Sequence, residues 1–370
     1  MVGRGVCSKP VSGGQLVINK TVTGCFCAAL CFLLLSCGGK EEIKNEIRVA
    51  MLGNYSSIDD KSFNQSTWEG IRRWARDNHL PEKNYVYQPS QVSLEASVLN
   101  LANLADRHPD LVIATGFSFA ESINVVARKY PKQKFLLIDA VSNVVGNVAS
   151  ATFANHEGAF LVGLAAALKA RDIKCNKLGF IGGFDHVVIR EFEAGFEAGV
   201  RAVDPALKVF REYVGDFSNP PKGQRFAGNM YDFGVCGIFS VAGGTGIGVI
   251  KEAKARALKG GKAFVVGVDR DQYEDGIYDG KNSVILTSML KKVDVAVYDV
   301  LSRVANGDFQ GGNIVYSLKD NGVGLPENNP NLKTEWSRII HAWEREIING
   351  DVVVPGVPER VIKQVGSTGS

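Results

Sequence analysis

Runs of β-branched and apolar residues that alternate with stretches of helical periodicity constrain this chain more than any other feature. The expected strands fall at 47–52, 84–87, 111–114, 134–139, 177–181, 209–213, 235–240, 263–268 and 283–287. Helical patterns lie between them, for instance at 62–78, 95–107, 156–169, 190–203 and 246–259. Continuous apolar strands separated by helices are strands of a parallel sheet buried on both faces. Right-handed βαβ units stack such strands into doubly wound sheets. Nine strands overfill one sheet, and the pattern restarts near Lys177 after the long helix at 156–169. The expected fold is therefore α/β, with two doubly wound parallel-sheet lobes, a hinge whose first crossing falls near Asn155 and Glu157, and a ligand cleft outside the strands' carboxyl ends.

Residues 1–36 read as a signal peptide. Arg4, Lys9 and Lys20 form a positive leader with no acidic residue before Glu41, followed by the apolar run 21–35. That run is shorter than the roughly 20 residues a spanning helix needs and suits an export signal. It ends Leu34-Leu35-Ser36-Cys37, similar to a bacterial lipobox, so Cys37 is the expected lipidation site. Its acyl chains would anchor the protein in the bilayer, with 37–46 as a polar tether and the body facing the periplasm.

The balance of 42 basic against 39 acidic residues gives a formal charge of +3, without the concentrated basic stripe of a nucleic-acid binder. The five histidines are scattered, and neither HxxxH nor CxxC occurs, so no metal site and no cofactor is expected. Gly244-Thr245-Gly246-Ile247-Gly248 fails the dinucleotide spacing, and no GxxxxGK[ST] is present. Five of the seven cysteines precede residue 38. The remaining two, Cys175 and Cys236, lie in apolar stretches and are expected as buried free thiols.

Four clusters at strand ends can carry recognition. In Asp59-Asp60-Lys61-Ser62-Phe63-Asn64-Gln65, Asp60 or Ser62 suits a helix N-cap. Capping leaves Phe63 unexplained beside Asn64, and it serves equally as a core residue or as an aromatic face for a planar heterocycle. Asp139 ends its strand and can accept hydrogen bonds from a ligand or cap the next turn. Gly243 lies in a glycine-rich turn after Phe239, where backbone can approach a ligand closely. Asp269, in Val268-Asp269-Arg270-Asp271-Gln272, can accept both hydroxyls of a vicinal diol, with Lys291 as donor or counter-ion; a structural Asp269–Lys291 ion pair is the other reading. The run of acids after Asp269 lacks the sixth-position glycine of a calcium loop. An enzyme such as a nucleoside hydrolase would have only Asp269 and Asp271 for an acidic cluster.

The runs DDKSFNQSTWEG, FANHEGAFLVG, VAGGTGIG and VGVDRDQ resemble, in that order, the basic membrane protein family of bacterial lipoproteins, and the likeness extends through the mature chain. It implies the type I periplasmic-binding-protein fold with three crossovers. The first lobe would then take 47–154 plus about 288–312, and the second 155–287 plus about 313–365. It also implies a non-enzymatic receptor that passes purine nucleosides (adenosine, guanosine, inosine) to an ABC permease and ATPase. Under the resemblance Phe63 and Phe239 would stack on the base, with Asp60 and Asn64 lining the pocket and Asp139 facing the base. Gly243, Asp269 and Lys291 would hold the ribose. Phe117, Phe119 and Phe184 also lie near strand ends and compete for the second aromatic face. The long, cysteine-rich leader departs from the family pattern.

Overall fold

The computed structural model describes residues 47–54, 57–90 and 93–362; the leader, Cys37 and the tether lie outside the described residues. The first lobe opens with β1 (Val49–Gly53), α1 (Phe63–Asp77), β2 (Tyr85–Pro89), α2 (Leu94–Ala105), β3 (Leu111–Thr115), α3 (Ala120–Lys129), β4 (Phe135–Ile138) and β5 (Val148–Phe153). The chain then crosses into α4 (Asn155–Asp172), β6 (Lys177–Gly182), α5 (Val187–Val203), β7 (Lys208–Tyr213), α6 (Pro220–Asp232), β8 (Gly237–Val241), α7 (Gly246–Ala257), β9 (Phe264–Asp269) and β10 (Ile285–Lys291). It returns for α8 (Val293–Asn306) and β11 (Gly312–Tyr316), then crosses again to β12 (Val323–Gly324) and α9 (Thr334–Asn349).

Two six-stranded sheets result, ordered β11-β5-β4-β3-β1-β2 and β12-β10-β9-β8-β6-β7. Every pairing is parallel except β10 with β12. The second sheet repeats the strand order of the first, so β4 corresponds to β9 and β3 to β8. β10 stays in the second sheet through Lys291, and β11 joins the first sheet through Tyr316. The chain therefore leaves the second sheet after Lys291 and the first sheet after Tyr316.

The central strands are buried along their whole length, as in β1, β3 and β9. Helix α4 is buried nearly all round, as a helix enclosed on several sides should be. It meets α5 at glycine contacts: a Cβ on Gly195 would fall 2.0 Å from the His156 carbonyl oxygen, and one on Gly199 2.1 Å from that of Phe160. Any larger residue there would push the two helices apart. The returning helix α8 packs on α1, where Arg73 Nη1 donates to Asp294 Oδ2 at 2.8 Å and Trp74 Nε1 to Ser302 Oγ at 3.0 Å. No helix among the described residues is long and apolar enough to cross a membrane.

Cys175 and Cys236 form a disulfide, with Cα atoms 6.4 Å apart, and are not the free thiols expected. The reason is topological. β6 pairs directly with β8, Leu178 against Gly237, so the segments entering both strands lie side by side although 61 residues separate the cysteines. Apolar neighbours in sequence carry no information about that adjacency.

Candidate functional site

The carboxyl ends of the two sheets face each other across a cavity. The first lobe lines it with Asn54, Asp60, Phe63, Asn64, Gly116, Phe117 and Asp139. The second contributes Ile189, Phe192, Phe217, Val241, Gly243, Val268, Asp269 and Lys291. Seven of the eight residues singled out from the sequence are thus brought together, and Phe239 is not. Phe239 is fully buried among Phe180, Phe192 and Phe196, with ring centroids 5.8, 6.3 and 5.2 Å away. It points the same way as Val241, two residues later on β8, but lies deeper in the core. The aromatic that this lobe does present is Phe217, in the turn Gly215-Asp216-Phe217 after β7, together with Phe192. A turn rich in glycine and aspartate after a strand was the available signal for Phe217.

Asp60 is 4% exposed, and its carboxylate is fully engaged by its own loop. It accepts from the backbone N–H groups of Ser62, Asn64 and Gln65 at 2.9, 3.0 and 3.1 Å, and from Asn64 Nδ2 at 2.9 Å. Burial nevertheless pushes its pKa above the ordinary carboxylate value, against those four donors. Asn64 Nδ2 also donates to the Asn54 carbonyl at 3.1 Å. Asp60 therefore satisfies the free N–H groups that open α1 and fixes the position of Phe63, which is half-buried at the cavity wall.

Lys291 is the electrostatic centre of the site. It is 1% exposed, and its ammonium donates to both oxygens of Asp139, an ion pair that joins the lobes. The rings of Phe63, Phe153 and Phe192 surround it, with centroids 5.1, 5.0 and 5.4 Å from Nζ, within cation–π range. A structural Asp269–Lys291 ion pair was the alternative reading of these two residues, and the structure pairs Lys291 with Asp139. Asp269 accepts a hydrogen bond from Ser62 Oγ, also across the lobes. Burial raises the Asp269 carboxyl to about 6, against the opposing pull of Lys291 and the Ser62 hydroxyl. Asp139 and Asp269 terminate corresponding strands, and both hold left-handed backbone, φ 67° and 68°.

Sequence reasoning also missed Glu191. Burial pushes its carboxyl up, while hydrogen bonding from Asn155 and the charge of Lys291 pull it down; Asn155 Nδ2 donates to Oε2 at 2.8 Å. In the sequence it is one more charged residue on a helix, with nothing to mark it as facing a hinge. Phe117 stacks flat on His186 of the opposite lobe, centroids 3.8 Å apart at 7°, and burial lowers the His186 pKa. Among the described residues the cavity therefore offers aromatic walls, several carboxylate acceptors and a single ammonium. No group of side chains among the described residues is arranged to hold a metal ion.

A family model described as "ABC transporter substrate-binding protein PnrA-like" matches residues 47–357. The chain belongs to the Bmp family. It is 36% identical over 327 residues to the "ABC transporter nucleoside-binding protein BmpA" of Lactococcus lactis, covering 86% of this chain and 92% of that protein. It is 38% identical over 328 residues to a "CD4+ T-cell-stimulating antigen" of Listeria innocua, covering 86% and 91%. With basic membrane protein A of Borreliella burgdorferi it shares 32% over 332 residues, covering 88% and 93%. Among solved structures, an ABC transporter solute-binding protein of Aeropyrum pernix superposes with a TM-score of 0.75 at 29% identity, covering 84% of this chain and 94% of that one. As a Bmp protein this chain is an ABC transporter substrate-binding protein. Members of the Bmp family are solute-binding proteins rather than enzymes. Membership implies a small-molecule ligand, a permease and ATPase as partners, and an extracytoplasmic, membrane-associated setting.

Proposed function

We propose that this Bmp protein is a receptor for purine nucleosides, held in the cleft and delivered intact to the permease. The observation that carries the reading is the pairing of aromatic walls from opposite lobes, Phe63 and Phe217, around two buried aspartates and one lysine. Base–aromatic stacking contributes about 1–3 kcal/mol per base. In this reading Asp139 faces the base, Asp269 accepts the ribose hydroxyls, and Lys291 and Gly243 complete the sugar site. Asp60 and Asn64 hold the first-lobe wall in place. The nucleoside-binding name of the Lactococcus relative supports the same ligand class. A cavity with more carboxylates than ammonium groups also disfavours the phosphate of a nucleotide, because like charges repel strongly where water is excluded.

The test is titration calorimetry with guanosine, deoxyguanosine, guanine and guanosine monophosphate. A buried charged acceptor left without its partner costs about 1–3 kcal/mol, so deoxyguanosine should bind tenfold to a hundredfold more weakly than guanosine. Guanine and the monophosphate should be weaker still, and equal affinity for guanosine, deoxyguanosine and guanine would refute ribose readout. The reading includes a lipid anchor at Cys37, and palmitate labelling that persists in Cys37→Ser would remove that part.

A further inference from the structure

We infer that Gln272 is a positioning residue for binding: it locks the two lobes together through the backbone of Lys61, outside the cavity, and so sets how long a bound molecule is held. The inference rests on the reading of the cleft as the ligand site and does not depend on which ligand occupies it.

Gln272 is 4% exposed and anchored twice within its own lobe. Its Oε1 accepts from the Val268 N–H at 3.0 Å, and its own N–H donates to Ser288 Oγ at 3.1 Å. Gly267 makes the space: a Cβ there would lie 2.6 Å from Gln272 Oε1. With Oε1 committed, the amide can point Nε2 in one direction only, and it donates to the Lys61 carbonyl of the first lobe at 3.0 Å. Lys61 is equally fixed. It holds left-handed backbone, φ 59°, between Asp60 and Ser62, and the Asp60 carboxylate ties down the turn from the other side. Lys61 Nζ adds an ion pair with Asp275 at 3.7 Å, exposed enough that it contributes little.

Both halves of this contact are held by hydrogen bonds within their own lobe, and neither partner lines the cavity. A contact made only in the closed form raises the closed population whatever is bound, and must break before release. It therefore changes retention time and leaves discrimination between ligands unaltered. A buried hydrogen bond of ordinary strength corresponds to about a tenfold change in such an equilibrium.

Gln272→Glu keeps the acceptor for Val268 and replaces the donor with an oxygen facing the Lys61 carbonyl. Gln272→Met removes both bonds without adding charge. Hydrogen exchange of the full-length, ligand-free protein should show faster exchange, by about tenfold, around residues 60–66 and 269–276 in both variants. The first of those segments lies in the lobe that does not carry Gln272, and a role confined to Gln272's own lobe would leave it unmoved. Unchanged exchange at 60–66 in both variants overturns the lock. With guanosine as the probe, release should accelerate about tenfold while the guanosine-to-deoxyguanosine affinity ratio stays at its original value; a changed ratio would place Gln272 against the ligand and also overturn the proposal. If guanosine does not bind the unaltered protein, the nucleoside reading fails alone, and the exchange result still decides the lock.

Discussion

Replacing Lys291 with methionine should be among the most destabilising single substitutions in the molecule. The ammonium is buried, paired with Asp139 and flanked by the carboxylates of Asp269 and Glu191. Methionine retains most of the side chain's packing against Phe63, Phe153 and Phe192, so the loss is electrostatic. Removing one partner of a buried pair typically costs about 3–5 kcal/mol, because the other charge stays buried without compensation. Asp269 and Glu191 also feel the charge of the same ammonium, which places the expectation at the upper end of that range. Domains commonly have about 5–15 kcal/mol of stability in total, so the urea midpoint should fall by a third or more. The double variant Lys291→Met/Asp139→Asn removes both charges at once and should recover at least about 2 kcal/mol, a coupling of the size seen between residues in contact. Equilibrium urea unfolding of the two single variants and the double variant, with the slope compared throughout, measures this. A loss under about 1 kcal/mol in Lys291→Met, or a double variant no more stable than that single one, would refute the assignment of Lys291 as the charge that makes these carboxylates tolerable.

Phe217→Ala and Phe63→Ala should each weaken nucleoside binding about tenfold or more in calorimetry, whereas Phe239→Ala should mainly lower fold stability, by about 3–5 kcal/mol. Substituting both Cys175 and Cys236 by serine opens a loop of 61 residues. On the chain-entropy account this costs about 4 kcal/mol, measurable as a lower unfolding midpoint that reductant no longer shifts. The Asp269 carboxyl, raised to about 6 by burial, is partly protonated in mildly acidic solution when the cleft is empty. A ligand hydroxyl favours its ionised form, so affinity should rise as pH increases through about 6, with net proton release on binding at pH 5.5. Calorimetry in buffers of different ionisation enthalpy reads that release, and proton uptake would contradict it.

The interior strands other than β5 were legible because each is a continuous apolar run, and the cleft was legible because aspartates and glycines sit where those runs stop. β5 was not read, since its sequence VASATF is built from small residues that carry little hydrophobic signal. β11 escaped for a different reason: it is an edge strand whose burial alternates. β12 has two residues, too few for any periodicity. Phe239 shows the limit of proximity in sequence. It lies near the glycine turn, but two residues before the strand's end is already inside the sheet, while Asp139, Asp269 and Lys291 reach the cavity from the last position or the one after it. Pairings across the lobes, Lys291 with Asp139 and Ser62 with Asp269, depend on how two repeats face each other, and no local pattern records that.

The left-handed backbone shared by Asp139 and Asp269 bears on how a receptor of this kind can diverge. Aspartate and asparagine are the non-glycine residues most at ease in that conformation, and their side chains are nearly the same size. Exchange between them leaves the main chain undisturbed while turning one pure acceptor into a donor–acceptor pair. At Asp139 the change would leave the Lys291 ammonium without its ion-pair partner, so the freely adjustable position is Asp269, whose hydrogen bond comes from the neutral Ser62 hydroxyl. A descendant can therefore acquire an altered solute preference by a single step in the second lobe, whereas a change in the first calls for a matching one at Lys291.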